Sequence, residues 1–449
     1  MRIFSLQHVY SVLSTEICCM QVKQKFEGKR VLMLGWEFPP VQAGGLGVAC
    51  YGLARATRNF IDVTFVVPRF DPRMELEGVS FFGMNQLDPS LTITDPEMNR
   101  LQGGIPELEF YQLSAAACES VRKGYQVQEQ LGRVSFQELF SDQEVYGPRL
   151  LAKVSAYAEG LVEAFGDGQF DLIHAHDWLT YLAGVRLKKK TGKPLLIHVH
   201  ALETDRAGRD ARNTMYYVER FGMQMCDRII AVSEYTKQNI IELYGIPEEK
   251  IEAIHNGIDP QPVFRQEHHV PEKIVAFVGR LTHQKGPYHL LETAEKVIRK
   301  FPNVRFVVAG TGEKMKELID WTAFRGLSRH FLFTGFVARA KVEQLLAVAD
   351  VYFMPSVSEP FGLSALEAAQ FRVPCVISKQ SGVAEMLTHA LTADYWDTDL
   401  FAEHIVKLLS DEAYHRKMVE DMESDLQNIS WDDAATRVIR QYRKFLLNE

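Results

Sequence analysis

Charge of one sign is not in excess in this chain. Across 449 residues, 50 Lys and Arg face 58 Asp and Glu, a formal net charge of −8. No basic stripe exists to follow a phosphate backbone, which excludes a general nucleic-acid binder. No window holds the eighteen or so uninterrupted apolar residues of a membrane span, so no integral membrane segment is expected. Cysteine is sparse: Cys18, Cys19, Cys50, Cys118, Cys226 and Cys375 show no C-x-x-C spacing. That excludes a disulfide scaffold or a zinc-cysteine knuckle, and scattered thiols fit a reducing, cytoplasmic location. Residues 1–29 carry Gln7, His8 and Glu16 in an otherwise moderately apolar stretch, with no small-residue cleavage site after it. They read as a poorly ordered extension rather than a signal peptide.

From Arg30 onward, short apolar runs alternate with amphipathic stretches. Val31–Leu34, Val63–Val67, Leu172–Ile173, Leu195–Ile197 and Ile229–Val232 lack polar alternation, the mark of parallel strands covered on both faces. Helical patterns such as Thr236–Tyr244 lie between them. The rhythm breaks over Asp259-Pro260-Gln261-Pro262 to Pro271, and then restarts at Ile274–Val278, Val304–Val308, Phe331–Thr334, Val351–Phe353 and Cys375–Ile377. The expected fold is therefore α/β, with two doubly wound domains facing each other across a cleft. One spans residues 30–262 and the other 263–425, with a C-terminal helix over 426–449 crossing back to the first. Segment 70–143 has few strong periods and reads as an insertion lining the cleft. In such sheets ligands bind beyond the carboxyl ends of the strands, so functional residues should follow predicted strands directly.

Four clusters do. Gly44-Gly45-Leu46-Gly47 opens a helix, where bare backbone N–H groups can approach a phosphate. His174-Ala175-His176-Asp177 and His198-Val199-His200 end two strands, and residues two apart on a strand share a face. Paired H-x-H runs resemble metal-hydrolase ligation, but the break into two strand series argues against the closed barrel such enzymes use. Instead His174 and His198 are expected to be buried and hydrogen-bonded, with His176, Asp177 and His200 reaching the cleft and no metal bound. Gly279-Arg280 through Lys285-Gly286-Pro287 places two cations before a helix that starts at Pro287. Cations at a positive helix end repel one another unless an anion lies between them, and a diphosphate supplies one. In Ser358-Glu359-Pro360-Phe361-Gly362-Leu363 to Glu367, Pro360 is expected to start a helix. Glu359 and Glu367 would then stand about 12 Å apart along its axis, too far for one general acid/base pair.

Glu359 and Glu367 together resemble the E-x7-E motif of retaining glycosyltransferases with the GT-B fold. Trp36-Glu37-Phe38-Pro39-Pro40, the Gly44–Gly47 turn, His174–Trp178, Val278–Gly286 and Ser381-Gly382-Val383-Ala384-Glu385 are similar to family 4 and glycogen (starch) synthase-like members. This resemblance implies a nucleotide-diphosphate sugar donor, ADP- or UDP-glucose, a glucan or other hydroxyl acceptor, and no further cofactor. It implies that Arg280 and Lys285 hold the diphosphate, that Glu359 contacts the transferred sugar and that Glu367 contacts the ribose. Backbone at Phe361, Gly362 and Leu363 would face sugar and phosphate, His200 would lie near the reacting carbon, and Gly44 and Gly45 would close from the other domain. ADP-glucose synthases of this kind resemble K-x-G-G-L, whereas this chain has Gln42-Ala43-Gly44-Gly45-Leu46. That departure favours a broader family 4 reading, including transfer to a cell-surface oligosaccharide. The single D-x-D triplet, Asp397-Thr398-Asp399, reads as a turn or helix start, so metal-independent transfer is expected. A nucleotide-sugar epimerase shares the layout, but the paired glutamates and basic loop argue against it, and intact catalytic positions argue against a noncatalytic sensor.

Overall fold

In the computed structural model, residues 26–41, 44–93, 134–140, 146–147, 149–260, 265–266 and 270–447 are described. The expectation for residues 1–25, much of segment 70–143 and part of the proline-rich linker lie outside them. The first sheet contains β1 (Arg30–Leu34), β2 (Asp62–Val67) and β3 (Val79–Gly83). A small antiparallel pair follows, β4 (Thr92–Ile93) with β5 (Val134–Ser135). The first sheet then resumes with β6 (Leu172–His176), β7 (Leu195–Val199), β8 (Arg228–Ala231) and β9 (Ile251–Ala253). Its order is β3-β2-β1-β6-β7-β8-β9, parallel throughout.

The second sheet uses β10 (Lys273–Val278), β11 (Val304–Ala309), β12 (Phe331–Gly335), β13 (Val351–Met354), β14 (Cys375–Ser378) and β15 (Leu391–Ala393). Its order is β12-β11-β10-β13-β14-β15, again parallel. Both sheets are doubly wound. In each, strand order reverses beside the first strand, at β1/β6 and at β10/β13, and a crevice for a ligand opens where it reverses.

The central strands are buried over their whole length: β6, β7, β13 and β14 expose no residue. Besides the short β4–β5 pair, three strands of the two large sheets escaped the sequence reading, namely β3, β9 and β15. They lie at sheet edges or near them, are short or mixed in burial, and so lack the continuous apolar run of a central strand.

The last helix, Trp431–Leu446, returns to the first domain. Its Trp431, Ala434, Ala435, Val438, Ile439 and Tyr442 share one core with Val31 and Met33 of β1, Val63 and Phe65 of β2, and Leu53 of the Gly45–Thr57 helix. A side chain at Gly52 would meet the Trp431 indole at 2.2 Å, so the two helices approach closely there.

Further bonds tie the domains together. Ser233 Oγ and Thr236 Oγ1 both donate to the Pro360 carbonyl, at 2.6 and 3.2 Å. The Glu385 carboxylate accepts from the backbone N–H groups of Glu234 (2.9 Å) and Tyr235 (2.8 Å), at the start of the Glu234–Tyr244 helix, and meets His255 Nε2 at 2.6 Å. A carboxylate at a helix N-terminus satisfies unpaired donors and complements the helix dipole. These bonds hold the Glu385 carboxyl below its usual range against the opposing effect of burial. Glu385→Ala is expected to loosen the closed arrangement, raising the KM for the donor about tenfold with a smaller change in kcat. Steady-state kinetics and a larger radius of gyration in solution scattering check this.

Candidate active site

The sequence-expected residues gather at the two strand-order reversals. In the second domain, the loop after β10 and the loop after β13 are laced together. The Gln284 carbonyl accepts from Val357 N–H at 2.8 Å and Ser358 N–H at 3.4 Å. Gly286 lies in the left-handed region at φ +66°, and a Cβ there would fall 1.9 Å from the Pro355 carbonyl oxygen. Only glycine serves at this crossing.

The helix after the basic loop begins at Pro287, as its residue type predicts. Lys285 Nζ donates to Glu359 Oε2, and Ser356 Oγ reaches the same oxygen at 3.3 Å. Glu359 is only 6% exposed. This pairing revises the argument that only a diphosphate could separate the two cations, because Glu359 already balances Lys285. Arg280 is exposed and has no ion-pair partner among the described residues, so it is the cation left for an incoming anion.

Pro360 does not start a helix. Glu359 bridges to Ser381, Val383 N–H donates to the Phe361 carbonyl at 2.7 Å, and the helix begins only at Leu363. Gly362 caps it at φ +108°, a backbone shape that lets the chain turn abruptly. The 12 Å axial spacing of Glu359 and Glu367 therefore does not apply, since the first half of the interval is not helical. Phe361 is buried in the second domain's core. Leu363 is half-buried and opens the helix, where the first N–H groups lack intrahelical partners. Glu367 sits inside the helix 3.8 Å from Arg339, and burial pushes its carboxyl up.

From the first domain come the ends of β1, β6 and β7. Glu37, just past β1, is 8% exposed and accepts from Gly44 N–H at 2.9 Å and from the Tyr146 hydroxyl. It thereby fixes the turn at Gly44 and Gly45, which starts the Gly45–Thr57 helix. Burial raises the Glu37 carboxyl, while the charge of Arg280, from the other domain, lowers it. Arg280 is therefore within electrostatic reach of the first domain. Gln42 and Ala43, which carry the departure from K-x-G-G-L, lie outside the described residues.

Asp177 follows β6 at φ 60°, ψ 166°, a region almost reserved for glycine. Its carboxylate accepts from His200 N–H at 2.7 Å and Ala201 N–H at 3.3 Å, and so sets the chain direction beyond β7. Burial raises its pKa to about 6, against the lowering effects of Arg206 and these N–H groups. Asp177→Gly relieves the backbone strain but releases the His200 turn, whereas Asp177→Asn retains one acceptor. The glycine variant is expected to lose about tenfold or more in kcat/KM and the asparagine variant less, as measured in parallel assays.

His200 is half-buried, with its Nε2 3.0 Å from His176 Nδ1. Two expectations fail here. His176 is fully buried and does not line the cleft surface, because the Gly45–Thr57 and Trp431–Leu446 helices cover that face of β6. His198 is buried, yet neither of its ring nitrogens has a hydrogen-bond partner. His174 does bond, through Nδ1 to the Tyr442 hydroxyl at 2.6 Å. Asp397 caps the Thr398–Ser410 helix through Leu400 N–H, so the D-x-D triplet is a helix start.

Asp205 and Tyr235 went unnoticed in the sequence, while Glu37 and Ser358 stood inside motifs without a role of their own. Glu37 had a signal, its place directly after a strand. Asp205 and Ser358 bond across the domains at 2.5 Å, with Tyr235 joining Ser358 at 2.9 Å, and no local spacing marks a pair so far apart in the chain.

Residues 261–425 match the family "Glycosyl transferases group 1", and residues 132–262 match "Glycosyltransferase Family 4". The two run without a gap over well over half the chain. This chain belongs to the GT-B glycosyltransferases. It is 27% identical over 436 residues to an uncharacterized glycosyltransferase of Methanocaldococcus jannaschii, covering 92% of this chain and 98% of that one. It is 26% identical over 379 residues to the glycogen synthase of Mycobacterium tuberculosis, covering 81% of each. In fold it is similar to Anabaena HepE in complex with UDP and glucose, with a TM-score of 0.65 and 16% identity, covering 93% of this chain and 100% of that one. As a glycosyltransferase it takes a nucleotide-sugar donor and a carbohydrate acceptor. Among the described residues no helix is long and apolar enough to cross a membrane.

Proposed function

We propose that this glycosyltransferase moves glucose from a nucleotide-diphosphate sugar, ADP- or UDP-glucose, onto a glucan or another hydroxyl acceptor with retention of anomeric configuration. One observation carries the reading. At the second domain's strand-order reversal, Arg280 stands exposed in the loop that brings Lys285 to Glu359, and its charge acts on Glu37 of the first domain. Breaking the bond between C1 and the phosphate oxygen puts negative charge on the diphosphate and positive charge on C1. Fixed donors aimed at the first charge lower the barrier by several kcal/mol each in a site closed to water. Arg280, Lys285 and the free N–H groups at Leu363 are such donors.

Glu359, held by Lys285 and Ser356, is placed to accept a sugar hydroxyl as Lys285 turns to phosphate. Glu367 takes the ribose, and His200 comes beside the reacting carbon from the other domain. The acceptor oxygen bonds to C1 on the face that the diphosphate leaves, and its proton passes to the departing phosphate oxygen. This step needs no metal ion. Buried free thiols at Cys50, Cys226 and Cys375 fit a reducing, cytoplasmic setting. The departure at Gln42 favours a second acceptor reading, a cell-surface oligosaccharide, over strict glycogen synthesis.

Incubation with ADP-, UDP- and GDP-glucose, with and without glycogen, tests the reading. The expected result is nucleotide release stimulated by acceptor, with an α-linked product by NMR. A β-linked product would overturn retention, and release from none of the three donors would overturn the glucose assignment.

A further inference from the structure

The folded chain stacks four imidazoles from two adjacent strands. Ring centroids lie 4.3 Å apart for His174 and His176, 5.4 Å for His174 and His198, 5.3 Å for His176 and His198, and 4.3 Å for His198 and His200. His174, His176 and His198 are 0%, 0% and 2% exposed. A buried polar atom without a partner is costly, and native structures rarely tolerate several side by side. Here His174 Nε2, His176 Nε2 and both nitrogens of His198 have none.

We infer that His174, His176 and His198 form a buried site for a late first-row transition-metal ion, Zn2+ or Cu+, distinct from the sugar-transfer chemistry. The ligand atoms of the three lie within 4.8 Å of one another. Bonds of 2.0–2.1 Å then ask each nitrogen to move inward by no more than about 0.7 Å, and the near-parallel rings, 10–35° apart, to turn until their in-plane lone pairs converge. The hydrogen bonds around the set favour the same assignment. A ligating histidine characteristically donates its other ring N–H to a fixed partner. His174 has Tyr442 at Nδ1 and His176 has His200 at Nδ1; with Nδ1–H as the donor in each, Nε2 is left unprotonated, and it has no hydrogen-bond partner. Neutral imidazoles suit zinc and copper. No carboxylate belongs to the set, so the ion's charge is uncompensated by its ligands, which disfavours a hard dication such as Mg2+. Cys50, on the covering helix, groups with His176 and His200 rather than with this set.

The test uses full-length, tag-free protein produced in medium supplemented with zinc or with copper, purified without chelator and analysed for metal content. The expected result is about one equivalent of one of the two metals, removed by chelator and restored on adding back the metal salt, with the thermal midpoint rising by several degrees on reloading. Cobalt(II) added to the stripped protein is expected to give the visible absorption of a low-coordinate nitrogen site. His198→Leu is expected to drop retained metal below about a tenth of an equivalent with an unchanged far-ultraviolet spectrum. If that variant does not fold, the wild-type metal content and cobalt spectrum decide. Metal below about a tenth of an equivalent in the wild type under both supplements, without a midpoint shift, overturns the site. So does full retention of metal by a folded His198→Leu.

Discussion

Replacing Arg280 with alanine is expected to slow sugar transfer by about a hundred- to a thousandfold, the usual cost of removing one well-aimed donor from a developing oxyanion. The structure makes this a clean experiment. Arg280 is exposed and takes part in no ion pair among the described residues, and buried Glu37, whose carboxyl its charge lowers, keeps its hydrogen bonds from Gly44 and Tyr146, so the fold should be unaffected. Lys285→Ala is expected to be at least as damaging, but by two routes. It removes a phosphate ligand and strands Glu359, 6% exposed, without its cation. Breaking such a pair from one side costs about 3–5 kcal/mol when fully buried, and less here because the Lys285 side chain is 20% exposed. The double variant Lys285→Ala/Glu359→Gln separates the two. Stability should recover relative to Lys285→Ala, while turnover stays low. Turnover within a few-fold of the wild type in Arg280→Ala would remove the diphosphate role.

The second large effect is on stability. Trp431 is 4% exposed and lies against Gly52, with the last helix closing the face of β1 and β2. Trp431→Ala is expected to cost about 3–5 kcal/mol, because the removed indole leaves a cavity that the close-packed helices cannot fill. Urea unfolding followed by fluorescence and far-ultraviolet circular dichroism checks it. Gly52→Val should destabilise comparably from the other side, since its Cβ would enter the indole at 2.2 Å. A loss under about 1 kcal/mol in both would mean the helix is not anchored by this contact.

The fold was legible in the sequence wherever burial was complete. Runs such as Leu195–Ile197 and Val351–Phe353 are central parallel strands, and an apolar run with no alternation has few other readings. β3 and β15, short edge strands that are only partly buried, offered no such run, whereas β12, also at an edge, was marked by Phe331-Leu332-Phe333. Site residues were legible where they directly followed a strand, as Arg280 and Asp177 do. The local path was not always so. Pro360 looks like a helix start, but bonds to β14's loop hold Glu359 and Phe361 out of the helix until Gly362 turns the chain. The Lys285–Glu359 pair depends on two loops meeting 74 residues apart, and no local pattern encodes it. The histidine stack was half-legible. The H-x-H spacing gave each pair one face, but not the covering helix that buries His176 or the absence of partners for His198.

Calorimetric titration with UDP and ADP, each compared with its monophosphate, bears most directly on the claim that two α/β lobes hold a nucleotide diphosphate at Arg280 and Lys285. The account predicts that at least one diphosphate binds, about tenfold or more tighter than its monophosphate, and that Arg280→Ala erases this preference. No binding of either diphosphate, or a preference that survives in Arg280→Ala, would contradict it.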